Sequence, residues 1–302
     1  MSTQALETLL ARTLRAVVRA LPRSAALALG AGLGDLARRI GLRTAVARDN
    51  LAGAFPERSE PERERILAAH YRDLGMMLCE ASRGAASALA PEGEVVAAAR
   101  GLEHLEGARQ AGRGAIVLTG HYGDYGVLAG WLSRLHALDL VTQRLRNPGV
   151  DALITGVIGE TRMRRLTGGR GLRAVLEGLR QNHWVVILGD QDAGRRGVFV
   201  PFLGRPCSTH TFPAQLALRT GAPIVMAFIT RRPDRRNEID VLPPIVAEGP
   251  ETPEAVQALT ERHVAVLETW VRRHPEMWFW LHRRWKTAPP AAAPAALLAR
   301  GA

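Results

Sequence analysis

Lysine is nearly absent from this chain: of its 40 basic residues, Lys286 is the only lysine and the others are arginine. Cysteine occurs twice, as Cys79 and Cys207. That is too few for a disulfide framework or a CxxC metal site, and it reads as a chain of a reducing compartment. Aromatic residues make up only 5%, which leaves few rings on which nucleic-acid bases could stack. No run reaches the roughly 18 apolar residues of a membrane span. The nearest, Ala25 to Leu33, is rich in alanine and glycine and lies between Arg23 and Asp35. Arg12, Arg15 and Arg19 punctuate the first 20 residues. No compact apolar run followed by a small-residue cleavage site is found there, so no secretory leader is expected. The nine histidines are scattered, and no metal or other cofactor is expected. Gly30, Gly32 and Gly34 alternate inside a helical stretch and not after a strand, which argues against a nicotinamide site.

What is present is a chain of 302 residues, 47% hydrophobic, with a formal charge of +11. It is long enough for a sizeable core and one or two domains. The charge points to an anionic partner. An anionic membrane surface fits the apolar segments better than nucleic acid does, and no nucleic-acid partner is expected.

Residues 2–21 read as an amphipathic helix with Leu6, Leu9, Leu10, Leu14, Val17, Val18 and Leu21 on one side. It either packs on the protein's own core or lies on anionic lipid. Residues 24–40 form an Ala/Gly-rich helix that could pack closely on the first. Ser59 and Glu62 make a capping box for a helix from Glu60 to about Ala81. From residue 112 to 242, strands at 115–119, 138–142, 184–188, 222–229 and 239–242 are interleaved with helices, including ones at 127–135, 151–166, 172–181 and 212–219. Such alternation argues for an α/β fold with a mostly parallel central sheet flanked by helices. The expected division is an N-terminal helical region at 1–94, an α/β core at 95–287 and a mobile low-complexity tail at 288–302. The segment 275–287 carries three of the six tryptophans beside arginine and reads as core-closing or as a lipid-interface belt.

The stretch Gly114-Ala-Ile-Val-Leu-Thr-Gly-His-Tyr-Gly-Asp124 places His121 where a buried strand turns into a helix, a common position for chemistry in open α/β sheets. Asp124, three residues on, suits the orienting partner of a histidine base. Equally, the pair reads as a loop histidine beside a helix-capping aspartate. Amides around Gly123 and the cation of Arg144 are candidate donors to an oxyanion. Asp190 ends the strand 184–188. It is read as a loop-shaping, substrate-facing residue, and as the next acid for the histidine if Asp124 does not hold it. Phe199 and Phe202, in Val-Phe-Val-Pro-Phe-Leu-Gly, are read as the wall of an apolar tunnel or as core.

Taken in order, five segments resemble the bacterial lipid A late acyltransferase family, the lauroyl/myristoyl transferases. They are DNLAGAFPE at 49–57, GAIVLTGHYGDYG at 114–126, VTQRLRNP at 141–148, VVILGDQD with GVFVPFLGRPCSTHT across 185–211, and PEMWFWLHRRWKT at 275–287. The resemblance covers roughly residues 43 to 287. It implies a glycerolipid-acyltransferase-like fold with added N-terminal helices. The implied activity is transfer of a fatty acyl group from acyl carrier protein, or acyl-CoA, to a lipid hydroxyl at the cytoplasmic face of the inner membrane. His121 would be the base, and the chain is expected to work as a monomer. Two positions depart from the family: its acid five residues after the histidine falls on Gly126, and its arginine before the Asn-Pro segment falls on Gln143, with Arg144 beside it. The alternative is therefore a catalytically retired member that binds lipid or acyl carrier protein.

Overall fold

The computed structural model describes residues 2–168 and 171–290. Five helices lead the chain: α1 Thr3–Ala20, α2 Arg23–Arg39, α3 Thr44–Ala54, α4 Glu60–Arg83 and the short α5 Ala85–Ala88. The Glu62 carboxylate accepts from the Ser59 backbone N–H at 2.8 Å and from its hydroxyl at 2.6 Å, the expected start for α4. The Ala/Gly-rich α2 packs mainly on α4, not on α1 as expected. At the crossing a Cβ on Gly30 would lie 2.5 Å from the Gly75 carbonyl oxygen. Bare glycines thus let the two helix backbones touch.

The α/β part runs β1 Val96–Arg100, α6 Leu102–Gln110, β2 Ala115–Thr119, α7 Tyr125–Leu132, β3 Leu138–Thr142, α8 Pro148–Gly159, β4 Met163–Thr167, α9 Gly171–Arg180 and β5 Trp184–Leu188. It continues through β6 Val198–Phe202, β7 Arg205–Thr209, α10 Phe212–Thr220, β8 Ile224–Arg231, β9 Asn237–Val241 and α11 Pro253–Arg273. Seven strands form one sheet in the order β1-β9-β8-β2-β5-β3-β4, and β6 with β7 makes a separate hairpin. Every neighbouring pair in the large sheet is parallel except β8 with β9. The mostly parallel sheet with flanking helices and an added N-terminal helical region is the expected architecture.

Because β2 is central, all five of its residues are buried. Their alternation feeds two cores. Ile116 and Leu118 join Val185, Ile187, Met226 and Phe228 on the face covered by α3, α4, α10 and α11. Val117 joins Val186, Ala227 and Leu132 on the other face. The first core also takes in Leu51, Phe55, Leu67 and Tyr71 from the helical region. Of the tail at 288–302, residues 291–302 lie outside the described residues.

One local assignment changes, and one unassigned run gains its elements. The helix expected over 151–166 stops at Gly159, and β4 follows it. Its sequence, Met-Arg-Arg-Leu-Thr, hides a strand because it lies at the sheet edge, where both arginines find acids. Arg164 is bidentate to Asp139 at 2.7 and 2.6 Å, and Arg165 reaches Asp151 at 2.7 Å. The run 197–209 is the β6–β7 hairpin, turned by Leu203 (φ 51°) and Gly204 (φ 74°). Two successive positive φ values are the signature of a tight hairpin turn.

Candidate functional site

Strands β2 and β5 are parallel neighbours, with Thr119 beside Leu188 in register. Two residues beyond each strand, His121 and Asp190 therefore come side by side. His121 Nδ1 lies 2.7 Å from Asp190 Oδ1, and the His121 backbone N–H donates to Oδ2 at 2.8 Å. Trp278 Nε1–H donates to the same Oδ2 at 2.8 Å. Gly120 leaves room for the carboxylate, since a Cβ there would lie 2.9 Å from Oδ2. Burial works to raise the Asp190 carboxyl, but the His121 charge and three hydrogen bonds outweigh it and hold it at about 2. An ionised carboxylate only accepts, so His121 carries its proton on Nδ1 and presents a lone pair at Nε2. Burial lowers the basicity of His121, yet the charge and hydrogen bond of Asp190 reverse this, and its pKa stands above the ordinary histidine value.

Asp124 does not hold the histidine. Its Oδ1 caps α7 by accepting from Val127 N–H at 3.0 Å, and its Oδ2 lies 3.5 Å from Arg231 Nη2. The turn after β2 sends this side chain under the sheet end, into a buried ion cluster. There Arg231 donates to Asp73 at 2.7 Å and Glu80 at 3.3 Å, while Arg23 grips Glu80 at 3.1 and 2.7 Å. Burial pushes Asp124 up to about 7, against the pull of Arg231.

Gly123 does not offer its amide to a substrate. That N–H donates to the Met277 carbonyl at 2.8 Å, and the next strap bond runs from Phe279 N–H to the His121 carbonyl at 2.9 Å. At φ +53° a Cβ on Gly123 would meet the Ile229 oxygen at 2.0 Å. The glycine is required by this close approach. Gly126, where the family's acid would fall, sits in the first turn of α7, its nearest neighbour for an added Cβ being Asp124 Oδ1 at 3.5 Å.

A narrow slot opens on His121. It is lined by His70, Leu74 and Met77 of α4, with Tyr125, Met277 and Phe279. His70 Nδ1–H donates to the Glu276 carbonyl at 3.1 Å, and burial pushes this ring down to about 4, so it is neutral. Gln143 and Arg144 are exposed at the carboxyl end of β3. They line a separate groove with Leu166, Leu172, Val175 and Phe212. The order β2-β5-β3 puts that groove two strands from His121, about 10 Å at the usual strand spacing.

Phe202 is core and not a tunnel wall. It is fully buried, stacked on Trp285 with ring centres 5.9 Å apart. Phe199 is half-buried on the hairpin, and its carbonyl accepts from Gln257 at 2.8 Å on α11. Trp278 and Trp280 are 1% and 0% exposed, so they close the core and offer no lipid-facing belt. The arginines of the run 231–236 pair within the protein: Arg231 in the ion cluster, Arg232 and Arg236 with Asp234, and Arg235 on the Ser24 carbonyl.

Three participants escaped the sequence reading: Gln191, Trp278 as a donor, and His70. Gln191 Nε2 lies 3.3 Å from His121 Nε2. The only signal in the sequence was position, because Gln191 follows an aspartate at a strand end. Among the described residues no group of three metal-ligating side chains occurs, and no helix is long and apolar enough to cross a membrane.

Comparison with known proteins adds to this geometry. The family model described as bacterial lipid A biosynthesis acyltransferase matches residues 3–287. The lipid A biosynthesis lauroyltransferase of Escherichia coli (strain K12) is 30% identical over 269 residues, covering 86% of this chain and 85% of that one. The palmitoleoyltransferase of the same organism is 29% identical with the same coverage. A phosphatidylinositol mannoside acyltransferase of Mycobacterium tuberculosis (strain CDC 1551 / Oshkosh) is 28% identical over 196 residues, covering 61% of this chain and 58% of that protein.

Proposed function

Since the chain belongs to the bacterial lipid A biosynthesis acyltransferase family, we propose that it moves a fatty acyl chain from a thioester of acyl carrier protein, or of coenzyme A, to a hydroxyl of a lipid A precursor or related membrane lipid. The observation that carries the reading is the His121–Asp190 pair, 2.7 Å apart, in which the carboxylate is buried and the ring is partly exposed. A hydroxyl is a weak nucleophile toward a thioester, and a base must take its proton as the bond forms. His121 Nε2 takes that proton, and Asp190 fixes the tautomer and stabilises the imidazolium. The alkoxide oxygen bonds to the thioester carbon, the carbon–sulfur bond breaks, and Nε2–H returns the proton to the departing thiolate. The slot lined by Leu74, Met77 and Met277 receives the part of the acyl chain next to the carbonyl. The cation of Arg144, in its groove beyond Asp190, meets a phosphate of the acceptor.

The enzyme works as a monomer at the inner face of the membrane and needs no cofactor. Helix α1 rests on lipid through Leu6, Leu9, Leu10 and Val17, each 44–60% exposed, with Arg12 beside them. The alternative of a retired, lipid- or carrier-binding member rests on Gly126. It loses weight because Asp190 supplies a carboxylate to the histidine without an acid at 126.

The test is to incubate purified protein with labelled acyl carrier protein thioester, with and without a panel of hydroxylated lipids, beside His121→Ala. Acylated lipid formed only by the unaltered protein supports the proposal. Donor binding without turnover would establish the retired reading. Release of free fatty acid without acceptor would make the protein a thioesterase.

A further inference from the structure

The His121 lone pair that must receive a proton already has a neighbour. Gln191 Nε2 lies 3.3 Å from His121 Nε2. With Nδ1–H committed to Asp190, Nε2 of the neutral ring can only accept, so the Gln191 amide donates to it. An imidazole nitrogen has one in-plane lone pair. The acceptor hydroxyl and the Gln191 amide therefore compete for the same place, and the amide must leave before the base can act.

The backbone around Gln191 is not what moves. Arg284 is 1% exposed and donates to the Gln191 carbonyl at 3.3 Å; its other nitrogen donates to Thr209 Oγ1 at 2.6 Å. On the preceding residue the Asp190 carboxylate is held by His121 and Trp278. On the following one, Asp192 N–H donates to His282 Nε2 at 3.0 Å. With the main chain fixed on both sides, displacement falls to the side-chain torsions, and the amide stays within reach of whatever displaces it. The groups expected to supply an oxyanion donor are meanwhile spent or distant: the Gly123 amide is bonded to Met277 and the His121 amide to Asp190, and Arg144 is two strands away.

We propose that Gln191 caps the His121 lone pair until the acceptor hydroxyl takes that position, and that the displaced carboxamide then donates to the thioester carbonyl oxygen. This rests on the acyl-transfer reading above. As the hydroxyl proton passes to Nε2 and the oxygen–carbon bond forms, the carbonyl electron pair moves onto its oxygen, where the Gln191 N–H meets it. The pair returns as the carbon–sulfur bond breaks and the thiolate takes the proton from Nε2. A donor aimed at that oxygen matters more in the transition state than in the bound substrate.

The experiment uses the full chain with lauroyl-charged acyl carrier protein and a lipid A precursor. Gln191→Met keeps the length of the side chain and removes its donor. The expected result is a kcat lower by roughly 10²-fold with KM little changed. An unchanged kcat, or a loss appearing only in KM, overturns the proposal. Gln191→Glu places an anion against Nε2 and is followed by NMR titration of His121. The expected result is a rise of the His121 pKa by about one unit or more. A titration that does not move shows that the side chain is not at the lone pair, which also overturns the proposal. If the unaltered protein transfers no acyl chain, the functional reading has failed, and the titration alone then decides whether Gln191 occupies the base.

Discussion

Asp124 is pushed up to about 7 by burial and Asp190 is held at about 2 by the histidine charge and its hydrogen bonds, although both are wholly enclosed. The difference lies first in charge, since Asp190 faces the histidine whereas Asp124 shares Arg231 with Glu80 and Asp73, and then in hydrogen bonding. Asp190 accepts from two backbone or ring donors and the imidazole, whereas Asp124 Oδ2 has no hydrogen-bond donor among the described residues. Asp124→Asn preserves the cap on Val127 N–H, because asparagine caps helices as well as aspartate does. It is expected to retain most of its turnover. It also changes the pH dependence of stability with a definite sign. A carboxyl whose pKa is raised on folding binds extra protons in the native state, so its contribution to stability is lost as pH climbs from about 4 to about 7. The Tm of Asp124→Asn relative to the unaltered protein should therefore rise across that window, as read by thermal melts at pH 4.5 and 7.5. A constant difference would show that Asp124 is not the raised group. For Trp278→Phe the ring packing survives and one donor to Asp190 is lost. Turnover should fall by roughly 10- to 100-fold as the orienting carboxylate loosens, since one charge-assisted hydrogen bond is of the order of 1.5–3 kcal/mol. Steady-state kinetics of the refolded variant check this.

The individual elements differ in how openly the sequence declares them. The strands at 115–119, 138–142 and 184–188 were legible because β-branched and aliphatic runs stand between turn residues. The edge strand β4 was not, because its arginines take their partners from β3 and α8, elements whose proximity no local window reveals. The hairpin β6–β7 was hidden by Pro201 and Pro206 and by a Leu-Gly turn. His121 was legible from its place at a strand end. Its partner was legible only as the second choice after Asp124, because Asp124 is near in sequence and Asp190 is near only through strand register. The tryptophan segment has a composition that suits a membrane interface, but Trp278 and Trp280 lie inside the core. For the proposed membrane contact, α1 offers the most closely grouped exposed leucines among the described residues. It is tied to the body by Arg83 on the Val18 and Leu21 carbonyls at 3.2 and 2.8 Å and by Asn147 on the Gln4 carbonyl at 2.9 Å. Its outward leucines are left over. Replacing Leu6, Leu9 and Leu10 together by glutamine should lower flotation with anionic vesicles by at least about tenfold, because each buried leucine is worth roughly 1.5–3 kcal/mol. Flotation equal to that of the unaltered protein would show that α1 makes no membrane contact.

Across the whole molecule, one buried ion cluster joins the N-terminal helices to the end of the sheet that carries the site. Arg231 comes from β8, Asp73 and Glu80 from α4, Asp124 from the start of α7 and Arg23 from α2. Arg231 stays charged because three carboxylates outweigh the cost of burying it. Removing one partner from such a cluster leaves uncompensated charge, at a cost of about 3–5 kcal/mol. Arg231→Met should therefore be strongly destabilised in urea, and Asp124→Asn in the same chain should recover part of the loss. Equal stability of the single and double variants would show that Asp124 is no part of the cluster. The α4 anchored in this way also supplies His70, Leu74 and Met77 to the slot, so the docking of helices on sheet shapes the site. In the proposed mechanism Asp190 acts through His121. Its most direct test is the pH profile of kcat/KM for acyl transfer by Asp190→Asn. Turnover should fall by about 10⁴-fold. The acid limb should also move to lower pH, because the carboxylate that holds His121 above the ordinary histidine range is gone. Turnover and an acid limb both unchanged in Asp190→Asn would contradict it.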